Sequence, residues 1–341
     1  MTRDILFTQE NHIGLVTLNR PQALNALNLP MILALQEQLQ IWQDDDQVHA
    51  VVIRSTSERA FCAGGDVRAI YHHGHENYQQ KMDFFGHEYR FNQFIHDFNK
   101  PYIALMDGIT MGGGVGISLH GSHPIASERF LFAMPETGIG FYPDVGASYL
   151  LSRCPGHFGL FLGLTGDRLG AADAQAVGLV NYIIASSQFP DVLRSLMAGD
   201  LSLNAHQRVD DILRKFIMPT PLMSLDEFAP FVDDCFQHTD MESILTALNQ
   251  SEHDWHQEIR HILSLKAPLS LKVTLKQLHK AKSMTLAECL AMDYCLTSHF
   301  MRDPDFNEGV RALLMDKDNQ PHWQPKTLAE VNDTLVISYF E

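Results

Sequence analysis

The 341-residue chain is 45% hydrophobic and 19% charged, which is enough apolar material for the core of a globular protein. Its formal net charge of −16 argues against a nucleic-acid partner or an anionic membrane surface, because the overall field repels both. No signal peptide is expected at the N-terminus, and the longest apolar run, residues 101–119, is a poor membrane span because it contains Asp107 and five glycines.

Strand and helix patterns alternate over the first half of the chain. Strands are predicted where apolar runs lie between polar boundaries, at residues 12–19, 50–55, 102–106 and 123–126. Helices are predicted from Asn25 as N-cap to about Trp42, after Asp66 as N-cap, over residues 79–98, and from the glycines at 112–114. The alternation continues to about residue 190 and predicts an α/β fold.

From about Ser202 onward the pattern changes to long helical periodicities. We therefore predict an α/β core over residues 1–200 that carries the functional site. A helical C-terminal region, residues 201–341, is expected to pack on that core.

The histidine and cysteine patterns do not favour a metal site or a thiol nucleophile. Neither histidine cluster has the H-E-x-x-H spacing, and exposed histidines are the better interpretation of His72, His73, His75, His253, His256 and His261. Cys62 has no histidine near it in the sequence, so a small buried thiol is expected. Five cysteines, an odd number without C-x-x-C, favour reduced thiols and a cytoplasmic location.

Two glycine clusters, AFCAGGD (60–66) and ITMGGGVG (109–116), each follow a predicted strand and open a predicted helix. Such turns leave backbone N–H groups free to meet a ligand, and glycine lets the ligand approach the main chain. Two N–H groups aimed at one point would stabilise the oxyanion of a thioester or ester by about 3 kcal/mol per donor. For either cluster alone, tight packing of helix on strand is the alternative.

The stretch MPETGIGFYPDVG (134–146) places Glu136 and Asp144 among glycines, prolines and bulky apolar residues. Buried carboxylates are costly unless they are paired, hydrogen-bonded or used in chemistry. One interpretation is structural, with Asp144 capping a helix that begins near Gly146. The two glycine clusters upstream favour the other, a catalytic pair beside an oxyanion hole.

These motifs, together with LNRPQALNAL (18–27), resemble the crotonase, or enoyl-CoA hydratase/isomerase, superfamily. The resemblance is closest over residues 101–153, continues in LTGDRL (164–169) and residues 301–323, and covers nearly the whole chain. It implies a crotonase-like spiral of ββα units with a helical C-terminal region. It also implies an acyl-CoA substrate and no metal or redox cofactor, since coenzyme A is part of the substrate.

The resemblance further implies roles for individual residues. The oxyanion-hole amides fall on Gly65 and Gly113, and the catalytic acids fall on Glu136 and Asp144. Glu88, in FFGHEYRFN, falls on an acid that contacts the substrate in the hydrolases of the superfamily. The residues expected to line the coenzyme A groove or hold its phosphates are Ala23, Leu24, Ala63, Gly64, Arg68 and Lys317.

Differences between this sequence and other members of the superfamily limit the number of reactions that the chain could catalyse. Hydratases place a second catalytic glutamate at the position of Gly116, so hydration here lacks half of its acid–base pair. Enoyl-CoA isomerases need one glutamate and have no evident use for Asp144 or Glu88. The combination favours hydrolysis, with Glu136 either deprotonating water or attacking to give a mixed anhydride. The resemblance implies that the substrate is 3-hydroxyisobutyryl-CoA, an intermediate of valine catabolism.

Other interpretations stay open on the sequence. The first is an enoyl-CoA isomerase or hydratase of the same fold. A second, from a different class, is a non-catalytic member that binds acyl-CoA or RNA, although the acidic charge disfavours RNA. Members of the superfamily commonly form trimers through C-terminal helices, so a homo-oligomer is also open.

Overall fold

A computed structural model describes residues 3–72, 74, 77–219 and 225–341. His73 and His75 lie outside the described residues. The strands are Ile5–Glu10 (β1), Ile13–Leu18 (β2), Ala50–Ser55 (β3), Ala60–Cys62 (β4), Tyr102–Met106 (β5), Ile109–Met111 (β6), His123–Ala126 (β7), Leu131–Ala133 (β8), Leu169–Gly170 (β9) and Tyr182–Ile183 (β10).

The helices become longer and more frequent towards the C-terminus. They are Leu29–Asp44 (α1), Val67–His72 (α2), Tyr78–His96 (α3), Gly113–Gly116 (α4), Ala147–Leu151 (α5), Phe158–Thr165 (α6), Ala171–Ala176 (α7), Phe189–Ala198 (α8), Ala205–Leu213 (α9), Leu225–Phe236 (α10), Met241–Asn249 (α11), Asp254–Ser264 (α12), Pro268–Ala281 (α13), Leu286–Phe300 (α14), Pro304–Val310 (α15) and Asp333–Ser338 (α16). None of the described helices is long and apolar enough to cross a membrane.

The strands form two sheets that the chain visits in turn. The six-stranded sheet has the order β1-β2-β3-β5-β7-β10, and the four-stranded sheet has the order β4-β6-β8-β9. In the pairs β3/β4, β5/β6 and β7/β8, the first strand joins the larger sheet and the second joins the smaller one, and a helix follows each pair. This repetition is the predicted spiral of ββα units, and it confirms the α/β fold class.

The chain forms two compact units. The first comprises residues 1–65, 90–132 and 169–223, and the second comprises residues 66–89, 133–168 and 224–341. Within the second unit, α10, α12 and α13 pack on α6. The division into an α/β core (1–200) and a helical C-terminal region (201–341) stays a prediction.

Parallel strands and two amphipathic helices build the core of the first unit. Every residue of β2, which pairs antiparallel with β1 and parallel with β3, is buried, as expected for a strand covered on both faces. Its side chains belong to a cluster that α8 and α9 complete, with Ile13, Leu15, Val52, Ile103, Ile125, Val192, Leu196, Val209 and Leu213. Each such side chain stabilises the fold by about 1.5–3 kcal/mol.

The predicted start of α1 is wrong by three residues. The N-cap is Asn28, whose Oδ1 accepts the Met31 N–H at 3.0 Å, with Pro30 in the first turn. Asn25 adopts a left-handed conformation (φ 56°), and its side chain instead donates to the carbonyl oxygen of Phe61 at 2.9 Å. Both Asn25 and Asn28 have the side chain that an N-cap needs. The contact between Asn25 and Phe61 on the following strand decides that Asn28 is the cap.

Other predicted elements agree more closely. The strands at residues 50–55, 102–106 and 123–126 are confirmed, and β2 and α3 differ from prediction by one or two residues at either end. Asp66 caps α2 by accepting the Ala69 N–H at 3.1 Å. The helix predicted from the glycines at 112–114 is only four residues long, and β1 was not predicted at all.

Candidate active site

The two glycine clusters lie side by side because their strands are neighbours. Strands β4 and β6 pair in parallel, so the turns at their carboxyl ends meet at one edge of the smaller sheet. Gly64 has φ +116°, and a Cβ built on it would lie 3.7 Å from the backbone nitrogen of Gly113. Only a residue without a side chain allows this approach in that backbone conformation.

Within this pair of turns, the N–H groups of Gly65 and Gly113 are free of backbone acceptors in the described part of the chain. Gly113 is the first residue of α4, so its N–H has no partner inside the helix. The neighbouring Gly114 has a packing role, because a Cβ there would lie 2.2 Å from the Cys62 carbonyl oxygen. Tight packing is therefore observed at Gly114, while a ligand-binding role for the Gly113 N–H stays a prediction.

Four of the six residues predicted to contact coenzyme A lie together. Ala23 ends a 3-10 turn, and Leu24, which follows it, accepts the Ala63 N–H at 3.0 Å beside Gly64. The two predicted phosphate-binding residues, Arg68 and Lys317, are exposed. Neither forms an ion pair with any residue that the structure describes.

The structure gives no support to a thiol nucleophile at Cys62 or to a metal site at the histidine clusters. Cys62 is buried and its thiol donates to the Asn25 carbonyl oxygen, which confirms the expected buried thiol. His253 caps α12 by accepting the Trp255 N–H, whereas His256 is buried, so the expectation that it is exposed is wrong. Among residues 3–72, 74, 77–219 and 225–341, no group of His, Cys, Asp and Glu could hold a metal ion.

Three acidic side chains of the second unit form one buried cluster. Glu136 begins a 3-10 turn and is 7% exposed, Asp144 is 5% exposed, and Glu88 on α3 is 2% exposed. Asp144 does not cap the helix that follows it. The Gly146 N–H donates instead to Oδ2 of Asp293 on α14, at 2.8 Å, so the predicted capping role of Asp144 is wrong.

Burial raises the pKa of each acid in the cluster. Burial raises the pKa of Glu136, the negative charge of Asp144 raises it further, and Lys266 opposes both. Burial also raises the pKa of Asp144 to about 7, against a hydrogen bond from Tyr89 that favours the ionised form. The pKa of Glu88 rises through burial and through the charges of Asp144 and Glu136. Carboxyl groups that titrate near neutral pH can act as general acids and bases.

Sequence reasoning missed the polar residues that surround this cluster. Tyr89 donates to Asp144 at 2.7 Å, and its hydroxyl also lies 2.7 Å from that of Thr297. Tyr142 donates to the carbonyl oxygen of Asp293 at 2.5 Å. Asp293 could have been predicted from the sequence, because the helical pattern of AMDYCLTSHF places this acid among buried apolar residues.

A family model described as enoyl-CoA hydratase/isomerase matches residues 13–340. The chain belongs to this family. This family member is 41% identical over 342 residues to "3-hydroxyisobutyryl-CoA hydrolase, mitochondrial" of Xenopus tropicalis, covering 99% of the chain and 88% of the relative.

Two solved structures share the fold of this enoyl-CoA hydratase/isomerase family member over its whole length. One, a carnitinyl-CoA dehydratase from Mycobacterium thermoresistibile, has a TM-score of 0.93 at 36% identity, covering 100% of this chain and 97% of that one. The other, an enoyl-CoA hydratase from Rhodobacter sphaeroides 2.4.1, has a TM-score of 0.91 at 35% identity, covering 99% and 97%. The name of the Xenopus relative gives no support to the cytoplasmic location predicted from the sequence.

Proposed function

We propose that this chain is a thioester hydrolase that converts 3-hydroxyisobutyryl-CoA and water to 3-hydroxyisobutyrate and coenzyme A. The buried pair Glu136 and Asp144, with pKa values raised by burial, is the observation that carries the proposal. The name of the Xenopus relative supports the same reaction. Valine catabolism is the pathway in which this reaction would operate.

The N–H groups of Gly65 and Gly113 have the function of an oxyanion hole in this proposal. They would donate to the carbonyl oxygen of the thioester as it gains negative charge during attack by water. Each donor of this kind typically contributes about 3 kcal/mol to stabilising the transition state. The support is that the two turns follow neighbouring strands and that both positions are glycines.

The Glu136–Asp144 pair would carry out the two proton transfers that hydrolysis needs. As a C–O bond forms from the attacking water and the C–S bond breaks, the ionised carboxylate takes a proton from water. The neutral carboxyl group gives a proton to the coenzyme A thiolate. Direct attack by Glu136, to give a mixed anhydride that water then hydrolyses, is the other route.

Glu88 would select the substrate. Its Oε1 is buried and has no hydrogen-bond partner among the described residues, so the substrate's 3-hydroxyl group is a suitable donor for it. A 3-hydroxyacyl thioester, such as that of 3-hydroxypropionate, would therefore be preferred to the same thioester without the hydroxyl. Ala23, Leu24, Ala63 and Gly64 would contact coenzyme A, and Arg68 and Lys317 its phosphates.

A hydratase or isomerase activity is the second candidate, supported by the names of the two similar structures. Gly116 argues against hydration. A Cβ at this position would lie 2.7 Å from Nδ2 of Asn92, so a glutamate there would require the Asn92 side chain to move.

The test is a panel of acyl-CoA substrates assayed for both release of free thiol and change of the acyl group. We expect thiol release from 3-hydroxyisobutyryl-CoA, with isobutyryl-CoA cleaved far more slowly. A 3-enoyl-CoA that is converted to its conjugated isomer, or a 2-enoyl-CoA that gains water, with no thiol released from any substrate, would establish the second candidate instead.

The location would be a compartment that keeps thiols reduced, because none of the five cysteines, Cys62, Cys154, Cys235, Cys289 and Cys295, forms a disulfide bond. The cytoplasm predicted from the sequence and the mitochondrion named for the relative both meet this condition. Fluorescence microscopy of the tagged full-length protein in its own cells distinguishes the two.

A further inference from the structure

The side-chain amide of Asn92, on α3, is buried without hydrogen bonds. Asn92 is fully buried, and neither its Oδ1 nor its Nδ2 has a hydrogen-bond partner in the described part of the chain. Asn25 is equally buried, but its side chain accepts the Arg20 N–H at 2.8 Å and donates to the Phe61 carbonyl oxygen at 2.9 Å. A buried amide without partners destabilises the fold. A bound group that hydrogen-bonds to Asn92 therefore explains this side chain better than packing does.

The helix α3 places Asn92 next to Glu88. The two residues are four positions apart, so they lie on one face of the helix with Cβ atoms about 5–6 Å apart. Helical side chains lean towards the N-terminus, so the Asn92 amide extends over the turn that carries Glu88. Oε1 of Glu88 is likewise buried and without a partner among the described residues. One helix face thus presents a buried donor beside a buried acceptor.

The Asn92 amide also lies against the short helix α4. A Cβ built on Gly116 would lie 2.7 Å from Nδ2 and 3.0 Å from Oδ1 of Asn92. Gly113 and Gly116 are three positions apart and share a face of α4. Because a helical Cα–Cβ bond tilts towards the N-terminus, the amide lies on the side of Gly116 that leads to Gly113. The N–H of Gly113 is the proposed donor to the thioester carbonyl oxygen.

We propose that Asn92 is a specificity-determining residue that binds the 3-hydroxyl group of the acyl chain together with Glu88. Nδ2 of Asn92 donates to the hydroxyl oxygen, and the hydroxyl group donates to Oε1 of Glu88. The inference rests on the proposed 3-hydroxyacyl thioester substrate. It extends that proposal, because Glu88 alone leaves the hydroxyl oxygen without a donor.

The dimensions of the substrate agree with this placement. The 3-hydroxyl oxygen is separated from the carbonyl carbon by three bonds. A substrate whose carbonyl oxygen meets the Gly113 N–H therefore has its hydroxyl group within about one helical turn, roughly 5 Å, of that point. Gly116, with the Asn92 amide beside it, is one turn of α4 away from Gly113.

The arrangement discriminates against acyl chains without the hydroxyl group. Such a chain leaves both Nδ2 of Asn92 and Oε1 of Glu88 buried and unpaired. A site built to hydrogen-bond a hydroxyl group rejects the analogue that lacks it more strongly than an apolar pocket rejects a poor fit. The pair Asn92 and Glu88 therefore selects 3-hydroxyacyl chains more strictly than Glu88 could alone.

The test is a calorimetric titration of the full-length protein with two thioethers of coenzyme A that cannot be hydrolysed. One probe carries an S-(3-hydroxy-2-methylpropyl) group, and the other carries an S-(2-methylpropyl) group that differs only in lacking the hydroxyl. We expect the wild-type protein to bind the hydroxylated probe about tenfold or more tightly than the other. Asn92→Leu should lose about tenfold in affinity for the hydroxylated probe and keep its affinity for the other.

Thermal unfolding separates recognition from packing. Leucine has nearly the shape of asparagine without the unpaired polar atoms, so Asn92→Leu should have a Tm equal to or above that of the wild type. Thr274→Val on α13 is the matched control, because Oγ1 of Thr274 is also fully buried without a partner among the described residues. Its affinities for both probes should equal those of the wild type. Asn92→Ala gives the answer if Asn92→Leu does not fold.

A wild-type protein that binds the two probes equally, or binds neither, overturns the proposal. So does an Asn92 variant that keeps the wild-type preference for the hydroxylated probe. The titration needs no turnover, so a preference that depends on Asn92 in a protein that releases no thiol would remove the hydrolase and leave this site. If thiol is released, the ratio of kcat/KM for 3-hydroxyisobutyryl-CoA to that for isobutyryl-CoA should fall about tenfold in Asn92→Leu and stay unchanged in Thr274→Val.

Discussion

Asn92 fills the space beside Gly116. The Asn92 side chain is fully buried, and a Cβ at Gly116 would lie 2.7 Å from its Nδ2 atom. This contact lies between α3 and the short helix α4. The position at which hydratases of the superfamily carry a glutamate therefore lacks an acid here, and the Asn92 side chain occupies the adjoining space.

Gly116→Glu should consequently destabilise the protein without creating a hydratase. We expect a loss of about 2 kcal/mol or more in the free energy of unfolding, from overpacking and from burial of an acid. Urea unfolding and an assay of water addition to a 2-enoyl-CoA measure the two effects. Gly170→Ala is the control, because a Cβ there meets nothing within 4 Å. Efficient hydration by the Gly116→Glu variant would contradict this account of the site.

Glu136→Gln and Asp144→Asn should each lower the rate of thiol release about 10²–10⁴-fold, the usual contribution of a positioned acid or base. Both substitutions keep the shape of the side chain, so the folded structure should be retained, as measured by circular dichroism. Asp303→Asn is the control: burial raises the pKa of Asp303 to about 6, yet it has no role in the proposed reaction. Near wild-type rates in either cluster variant would remove that residue from the mechanism.

Neighbouring glycines should separate activity from stability. Gly113→Val puts a side chain beside the proposed oxyanion hole and should reduce turnover at least 10²-fold, with a smaller effect on the folded state. Gly114→Ala should mainly lower stability, because its Cβ would lie 2.2 Å from the Cys62 carbonyl oxygen. Thiol release and thermal unfolding of the two soluble variants measure the contrast. If the two variants lost activity in the same proportion to their decrease in Tm, Gly113 would be only a packing residue, like Gly114.

The raised pKa of Asp144 makes the protein less stable as pH rises. Between the unfolded value of 3.8 and the folded value of about 7, the folded state binds more protons than the unfolded state, so the free energy of unfolding falls with increasing pH. For this group alone the loss is about 4 kcal/mol.

Asp144→Asn should therefore be more stable than the wild type at pH 8, and should lose less stability between pH 5 and pH 8. Urea unfolding at the two pH values measures both quantities. Some slope should remain, since burial also raises the pKa of Asp305 to about 7. If the wild-type protein became more stable from pH 5 to pH 8, the cost of burying ionised Asp144 would be offset more fully than its contacts indicate.

Local hydrophobic patterns were sufficient to predict several strands of the larger sheet. The strands at residues 50–55 and 102–106 were predicted from short apolar runs, because buried parallel strands are apolar on both faces. The start of α1 was mispredicted because Asn25 and Asn28 have the same local preference. Only the contact of Asn25 with the strand at Phe61 separates them.

The acids of the candidate site could be predicted, but their electrostatic surroundings could not. Glu136 and Asp144 stand out in the sequence as charges inside an apolar turn. Tyr89 and Thr297 are separated by 208 positions and belong to different helices, so no local pattern links them to each other or to Asp144.

The sequence by itself determined the alternation of strands and helices, the two glycine turns and the two acids within residues 134–146, because these depend on backbone conformation and hydrophobic periodicity over a few residues. Tertiary structure alone decided that the turns are neighbours, that Asn92 fills the space at Gly116, and that Tyr89 donates to Asp144. Those relationships join residues far apart in the chain, and their energies depend on distance and burial that exist only after folding.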